Sequence, residues 1–230
     1  MTYEDFLDIV RVSRQDLYRK TFERYKDRIK VKKEETVIRN LEKIFRATLK
    51  IANRRGFQTM SMRDLSRESD LSMGALYTYF SSKEELLSML QEQGRALVRQ
   101  VLETRLRDAD GPRERLRTAV RAHLYISEAM QPWFYFSYME TKNLSEPERS
   151  LAIRAEAETE QMFADLLADG TARGLFAPRD HQLAASTLKA MLQDWYLKRG
   201  KYARRGISVD RYADFVIEMM ETFYGVAVAD

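Results

Sequence analysis

The sequence predicts an all-helical protein, and three observations support this fold class. Only 9 Gly and 4 Pro punctuate the 230 residues, whereas Ala, Leu, Arg, Glu and Met, which favour helices, are plentiful. Apolar residues recur at spacings of three and four, and no segment shows the alternation that is typical of a strand. With 44% apolar residues, the chain is able to bury the core of one or two domains.

Three helices and the start of a longer one are predicted between residues 36 and 86. The first, over residues 36 to 55, buries one apolar stripe and ends at Gly56. Ser61 has an acid three positions on, which is the capping-box arrangement that opens a short helix. A second short helix covers residues 73 to 80, and another Ser-x-x-Glu pattern opens the longer one at Ser81. The stripe of the first helix consists of Val37, Leu41, Ile44, Phe45, Leu49 and Ala52.

Further amphipathic segments precede and follow this cluster. Three long helices are predicted near residues 148 to 173, 180 to 199 and 208 to 227, with Pro and Gly marking segment edges. Upstream, a cap at Ser13 opens an amphipathic helix over residues 13 to 30. The apolar positions of this upstream helix are Tyr18, Phe22, Tyr25 and Ile29.

Composition argues against an enzyme. The chain has no cysteine and only two histidines, His123 and His181, which we expect to be structural. It has neither a Gly-rich loop that would cradle a nucleotide nor the spacing of a metal site, so we expect no cofactor and no metal. The acidic amino terminus and the lack of a long apolar stretch predict a cytoplasmic protein that does not contact a membrane.

Charge is distributed unevenly along the chain. The net charge is only +4, but residues 11 to 83 carry 19 Lys and Arg against 9 Asp and Glu, whereas residues 84 to 230 carry 20 against 23. A concentrated positive field favours a polyanion, because each neutralised phosphate releases counterions. A well-solvated helical surface explains the same charge.

The two short helices suit a helix-turn-helix that places its second helix in the DNA major groove. If Leu76 points inward, Tyr79 and Phe80 lie on its side, whereas Gly74 and Thr78 point nearly opposite. Gly74 costs about 1 kcal/mol relative to Ala inside a helix. It therefore serves either close approach to a duplex or tight packing against another helix.

The segment TMSMRDLSRESDLSMGALYTYFSSKEEL, residues 59 to 86, resembles the DNA-binding signature of TetR-family transcriptional regulators, and the resemblance covers about residues 36 to 86. It implies a three-helix DNA-binding head at residues 36 to 82. A larger helical body at residues 83 to 230 would then bind an effector and dimerise. Residues 1 to 35 form an extension of this plan.

The resemblance implies DNA-binding roles for ten residues. Tyr77 and Tyr79 match tyrosines that bind phosphate or pack, and Lys83 matches a phosphate-contacting lysine. Met73 and Ala75 cannot form a bidentate hydrogen bond with a base, so their available contact is a thymine methyl, and more weight falls on Thr78, Arg63 and DNA shape. The ten residues are Ser61, Arg63, Ser72, Met73, Gly74, Ala75, Tyr77, Thr78, Tyr79 and Lys83.

A homodimer is expected because one short recognition helix reads few base pairs, whereas two helices one groove turn apart read a palindromic operator. The last two long helices are the candidate interface, although a monomeric core explains the same apolar residues. These residues are Leu188, Met191, Leu192, Tyr212, Phe215, Val216, Met219 and Phe223.

The aromatic run that begins at Trp133 is either plain core or the wall of an effector pocket. Glu140 is either a polar group that orients the effector or a surface residue. A small apolar effector, for example a fatty acyl-CoA, would release the operator, and a drug-like or aromatic molecule fits nearly as well. In the alternative reading, the body is filled and a protein partner controls the DNA-binding head. The residues assigned to the pocket are Phe134, Tyr138, Met139, Glu140, Met191 and Trp195.

The amino-terminal extension has two readings. Lys30, Lys32 and Lys33 reach phosphates or a minor groove beside the main contact, as basic arms do. Alternatively, the extension merely packs on the head through Tyr18, Phe22 and Tyr25.

Overall fold

The computed structural model describes residues 1–27, 29–31 and 33–225, except for the side chains of residues 12, 14 and 15. In these residues the chain forms α-helices and one short 3-10 helix at Thr141–Asn143, without a strand, which confirms the predicted all-helical class. None of the described helices combines the length and the apolarity that a bilayer span requires. The helices are α1 (Tyr3–Arg24), α2 (Glu34–Arg55), α3 (Met62–Ser69), α4 (Met73–Leu76), α5 (Lys83–Arg107), α6 (Gly111–Ala129), α7 (Gln131–Glu140), α8 (Glu146–Ala172), α9 (His181–Leu197), α10 (Arg199–Arg204) and α11 (Val209–Phe223).

The chain divides into two compact units. The head unit comprises residues 9–98 and 132–144, and the body unit comprises residues 1–8, 99–131 and 145–230. Helices α1 and α5 contribute residues to both units, because the division falls after Asp8 and after Val98. Most of α7, which follows the body helix α6 in sequence, belongs to the head unit.

The head unit is built around the apolar stripe of α2. Leu41 and Ile44 are fully buried, and Phe45 stacks on Tyr18 of α1 with ring centroids 6.1 Å apart. Gly56 ends the helix at φ +85°, a conformation that L side chains rarely adopt, and its N–H donates to the Ala52 carbonyl. Helix 36–55 is thus confirmed, and the helix begins two residues earlier, at Glu34.

Two short elements follow α2, and the second is shorter than predicted. Ser61 and Asp64 form the predicted capping box, whose hydrogen bonds lower the pKa of Asp64 to about 2. Helix α4 ends at Leu76 instead of continuing to Phe80. Beyond it the N–H groups of Thr78 and Tyr79 bond three residues back, as in a tight 3-10 turn.

Helix α1 corrects the prediction for the amino terminus at both ends. It begins at Tyr3 rather than Ser13, because Thr2 and Asp5 cap each other's N–H groups. Within the body unit, the N–H of Tyr3 donates to Asp210 (3.0 Å), and Phe6 packs edge-on against Tyr125. The helix ends at Arg24, so residues 25–27, 29 and 30 of the predicted helix lie outside it, and residue 28 is not among the described residues.

The body unit packs α6, α8, α9 and α11 around a buried apolar core. The three long helices predicted for this region are confirmed within two residues at every described end except the last, since α11 ends at Phe223. The predicted end at residue 227 lies outside the described residues. The sequence did not predict α10, which starts after Lys198 leaves helical geometry at ψ 30°.

One buried carboxylate joins two helices of the body unit. Glu221 on α11, whose side chain is only 7% exposed, accepts two hydrogen bonds from each of two guanidinium groups on α6, those of Arg113 and Arg117. These bonds hold the pKa of Glu221 at about 2 in spite of its burial. The buried charge is therefore compensated.

We expect the Glu221→Gln variant to lose stability in a pH-dependent way. A folded-state pKa of about 2, below the ordinary 4.5, makes the charged form contribute stability above about pH 4.5, and this contribution is lost as pH falls toward 2. The free energy of unfolding should fall by about 2 kcal/mol at pH 7, and the difference from wild type should shrink below pH 4.5.

Urea unfolding followed by circular dichroism across pH 3 to 7 measures this difference. Glu218→Gln, which removes an exposed carboxylate one turn away on the same helix, is the matched control and should show little change. A difference between wild type and Glu221→Gln that stays constant over this pH range would contradict the assignment.

Candidate nucleic-acid interface

Helix α4 is anchored by three buried side chains and exposes the opposite face. Leu76, Tyr79 and Phe80 are all at most 3% exposed, as the sequence predicted. The Oγ of Ser72 accepts from the N–H of Ala75 (3.1 Å) and caps the helix. The exposed face therefore belongs to a fixed turn of helix rather than to a loop.

Gly74 lies on this exposed face, and the space above it is open. A Cβ at this position would have no neighbour within 4 Å, and the backbone has ordinary helical geometry. Packing against another helix of the chain thus does not require glycine here. Gly94 on α5 is the contrast, because a Cβ there would lie 1.9 Å from the indole of Trp133. The space over Gly74 is free for a partner.

The other side chains of α4 and of the turn after it differ in how exposed they are. Tyr77 is 47% exposed, whereas Met73, Ala75 and Thr78 are half-buried. The Thr78 hydroxyl donates to the Ala75 carbonyl (2.6 Å), which leaves its oxygen as an acceptor.

Tyr79 is a packing residue. Its side chain is buried, and its hydroxyl accepts a hydrogen bond from the Asn40 amide on α2 (2.8 Å). Burial raises the pKa of the phenol. Packing, one of the two roles that the resemblance implied for this tyrosine, accounts for its buried side chain. A phosphate contact of Tyr79 stays a prediction.

Lys83 is already engaged within the head unit. Its ammonium donates to the carbonyls of Phe57 (3.1 Å) and Gln58 (3.0 Å) and lies 5.1 Å from the centre of the Phe57 ring. The residue thereby joins the start of α5 to the turn after α2. Because an ammonium has three donors, one N–H remains for the predicted phosphate contact, which stays a prediction.

Two residues predicted to bind DNA lie at the start of α3, and they differ in whether their side chains are already engaged. Ser61 is the N-cap and its hydroxyl is engaged with Asp64 (2.7 Å). Arg63 is exposed and forms no ion pair with the described residues, whereas Arg55 and Arg67 both approach Asp64. Arg63 is thus the arginine of α3 that is available to an external anion.

The aromatic run of α7 serves as core of the head unit. The indole of Trp133 donates to the Leu90 carbonyl on α5 (3.1 Å), and Phe136 packs edge-on against Phe57. Glu140 is buried and accepts from the backbone N–H of Phe57 (3.1 Å) and from the Asn143 amide (2.8 Å). Its carboxylate holds the turn after α2, so the predicted use of Glu140 to orient an effector conflicts with its contacts.

The structure does not gather the six predicted pocket residues into one unit. Phe134 is buried in the head unit, where Tyr138 and Met139 are about half exposed. Met191 and Trp195 lie on α9 of the body unit. Trp195 is fully buried and donates through its indole N–H to Glu128 (3.0 Å).

Sequence reasoning missed a buried lysine in the body unit. Lys189 on α9 is 8% exposed, and its ammonium lies 3.3 Å from Nε2 of His123 on α6. Burial lowers the pKa of both groups, whereas Glu156 and Glu160 partly restore that of Lys189. No carboxylate of the described residues lies within ion-pair distance of this ammonium. The sequence held the signal, since Lys189 lies on the apolar face that also carries Leu188 and Leu192.

Both histidines form a side-chain hydrogen bond within the body unit. His123 faces Lys189, and Nδ1 of His181 lies 3.1 Å from the hydroxyl of Tyr224. No group of three His, Asp or Glu side chains in the described part of the chain is arranged to hold a metal ion.

The capped helix α3, the tight turn after it and the short helix α4 with its one open face together define a helix-turn-helix DNA-binding protein. A helical carboxyl-terminal region follows in the sequence. Comparison with known families agrees. Residues 44–90 match the family described as bacterial regulatory proteins, tetR family, and residues 109–220 match the tetracyclin repressor-like C-terminal domain. The chain belongs to the TetR family of transcriptional regulators and is a DNA-binding regulator of that type.

Individual relatives are distant. The HTH-type transcriptional regulator HbdR of Aromatoleum sp. (strain CIB) is 24% identical over 180 residues, which cover 78% of this chain and 79% of HbdR. The crystal structure of the TetR-family regulator PfmR from Thermus thermophilus is 24% identical, with a TM-score of 0.66 over 81% of this chain and 99% of PfmR. AibR, solved with isovaleryl coenzyme A and operator DNA, is 19% identical, with a TM-score of 0.69 over 82% of this chain and all of AibR. These two structures share the fold.

We expect Gly74→Leu to abolish tight DNA binding without unfolding the protein. The side chain enters open space in the free protein, and leucine favours a helix over glycine by up to about 1 kcal/mol. In a complex it would hold the helix away from the duplex, and the Kd for DNA should rise more than tenfold.

Fluorescence anisotropy with a duplex selected by the wild type measures the Kd, and thermal unfolding checks the fold. Gly200→Leu, on α10 of the body unit, is the matched control, since the nearest atom to its Cβ would be the end of the Arg204 side chain at 3.6 Å. Equal Kd values for Gly74→Leu and wild type would refute the role given to this face.

Proposed function

We propose that the protein is a homodimeric repressor that binds a palindromic operator and is released from it by a small, largely apolar effector. The open face of α4 carries this proposal, because Gly74 and Tyr77 are exposed on a helix whose other side is anchored. DNA binding is assigned to residues 36–82, and effector binding and dimerisation to the helical region 83–230. The family membership supports both assignments.

The dimer interface is proposed on α9 and α11 of the body unit. Phe215, Met219 and Phe223 recur every four residues on α11 and are 44–59% exposed, which is unusual for an apolar stripe on a soluble monomer. Leu183 on α9 is exposed as well. The structure thus divides the predicted interface set, because Leu188, Leu192 and Val216 are buried in the core of one protomer, whereas the α11 stripe remains for a second copy.

Lys189 is the proposed polar contact of the effector. A buried ammonium that has a histidine ring as its near neighbour and carboxylates only at longer range is costly, so a ligand that accepts a hydrogen bond from it would stabilise it. A thioester carbonyl or a carboxylate would accept a hydrogen bond from it. AibR was solved with isovaleryl coenzyme A, which favours an acyl-CoA as the first class to test. Met191 and Trp195 share α9 with Lys189 and remain proposed pocket residues.

Release follows from a difference in affinity. Two DNA-binding heads fit successive major grooves only at one spacing. An effector that binds better to a dimer with another spacing shifts the population toward it, by no more than its preference for that state. Repression then ends because the dimer leaves the operator.

We expect Phe215→Glu combined with Met219→Glu to give a monomer. Two carboxylates within the apolar stripe would have to be desolvated at the interface. Analytical ultracentrifugation should show the monomer mass, and operator affinity should fall at least 100-fold because only one half-site is bound.

The double variant Leu151→Glu and Ile153→Glu on α8 replaces two other exposed apolar residues and should remain dimeric. A dimer of unchanged Kd in the α11 variant, or a monomer in the α8 control, would reject the interface.

We expect an acyl-CoA to weaken operator binding at least tenfold, and Lys189→Met to abolish this response. Replacing a buried charge by an apolar side chain of similar volume is often neutral or stabilising, so the variant should fold and bind DNA. Duplexes are first selected from a random pool with the wild type. Anisotropy is then measured with isovaleryl-CoA and octanoyl-CoA, and with coenzyme A alone as the control. Release of Lys189→Met by the same concentration of ligand would remove Lys189 from the site, and no release by any of the ligands would reject this effector class.

A further inference from the structure

The described residues 29–31 and 33, between α1 and α2, form a short segment that contacts the turn after α4. We call it the basic strap. The backbone N–H of Lys30 donates to the carbonyl of Thr78 (3.0 Å), directly after α4. Ile29 beside it is buried, and its N–H donates to the carbonyl of Tyr25. The first residues of the strap are therefore fixed relative to the turn that presents Tyr77.

The other end of the strap is fixed as well. Lys33 is the N-cap residue of α2, and its carbonyl accepts from the N–H groups of Thr36 and Val37. One end is thus bonded to the turn after α4, and the other end is held by the first turn of α2. Lys30 and Lys33 are the exposed lysines among the described residues of this segment. Lys32 lies outside the described residues.

The strap lysines differ in their surroundings from the other lysines of the extension. Lys20 approaches Asp16 (2.7 Å), and Lys26 approaches Glu23 (3.5 Å). Lys30 and Lys33 form no ion pair with any described residue. Two exposed cations without acidic partners, next to a helix that approaches DNA, fit a polyanion.

We propose that Lys30 and Lys33 bind backbone phosphates of the same duplex that α4 enters, just outside the bases that α4 reads. This inference rests on the proposed function. A duplex carries one negative charge per about 1.7 Å of its axis, so a duplex seated against α4 would present phosphates to Lys30, which is bonded to Thr78, and to Lys33 three residues further on. The contact adds affinity without reading sequence, because it is made to the backbone.

The packing of α1 does not account for these lysines. Tyr18 stacks on Phe45, and the Tyr25 hydroxyl donates to Glu92 (2.8 Å), so the helix and the turn after it are held by their own contacts. We therefore assign the two sequence-based readings to different parts of the extension. Helix α1 packs on α2 through Tyr18, and the strap that follows is the part that we assign to DNA.

The test is the salt dependence of DNA binding by the full-length double variant Lys30→Gln and Lys33→Gln. The slope of log Kd against log salt should decrease by about 0.9 for each lost phosphate contact, hence by close to 4 for a dimer that loses four. The loss of affinity at low salt should be the same factor on the selected duplex and on an unrelated one. Lys30→Arg with Lys33→Arg should restore the wild-type slope, because the charge is kept.

The double variant Lys20→Gln and Lys26→Gln removes the same charge from α1 and from the turn after it, and should leave the slope unchanged. A wild-type slope in the strap variant, or an equal decrease in the Lys20 and Lys26 control, would overturn this inference while leaving the regulator intact. If the wild type itself binds no duplex at low salt, the proposed function fails instead. Equal melting temperatures of the variants show that each comparison concerns folded protein.

Discussion

Burial of Leu76, Tyr79 and Phe80 is the constraint on which the rest of the head unit depends. A helix of four residues cannot sustain itself in water, since nucleation alone is unfavourable. Its geometry is imposed by these three side chains, by the Ser72 cap and by the bond from Asn40 to Tyr79. This explains how α4 is able to carry a glycine and still present one rigid, open face. The anchoring also fixes Thr78, to which the strap is attached.

Two buried charged residues of the body unit, Glu221 and Lys189, differ in how their charge is compensated. Glu221 receives four hydrogen bonds from two arginines, so its ionised form is compensated within the chain. Lys189 has a histidine ring nitrogen beside it and two carboxylates at longer range. A compensated charge is expected of a structural contact between helices, whereas an uncompensated one is expected where a ligand completes the site. The same physical criterion thus separates a residue that holds α6 to α11 from one proposed to recognise an effector.

The errors of the sequence-based prediction have specific causes. Serine is a common helix cap, so Ser13 is a plausible start for α1. Thr2 and Asp5 form a cap further upstream, and the contacts of Tyr3 and Phe6 with the body unit favour that earlier start. The aromatic run of α7 reads equally as a pocket wall and as core, and its density carries no information about which. In the structure Trp133 fills the space left by Gly94 on α5, a complementarity between residues 39 positions apart in the sequence.

The sequence by itself determined what depends on neighbours along the chain. Helical periodicity placed α2 and the long helices of the body, the Ser-x-x-Asp spacing capped α3, and the spacing from Leu76 identified Gly74 as outward-facing. Only the tertiary structure decided what depends on distant partners: that Tyr79 bonds Asn40, that Lys83 and Glu140 hold the turn after α2, and that Lys189 meets His123. The physical reason is that local hydrogen bonds and apolar periodicity act over a few residues, whereas the partner of a buried polar group is chosen by how helices pack.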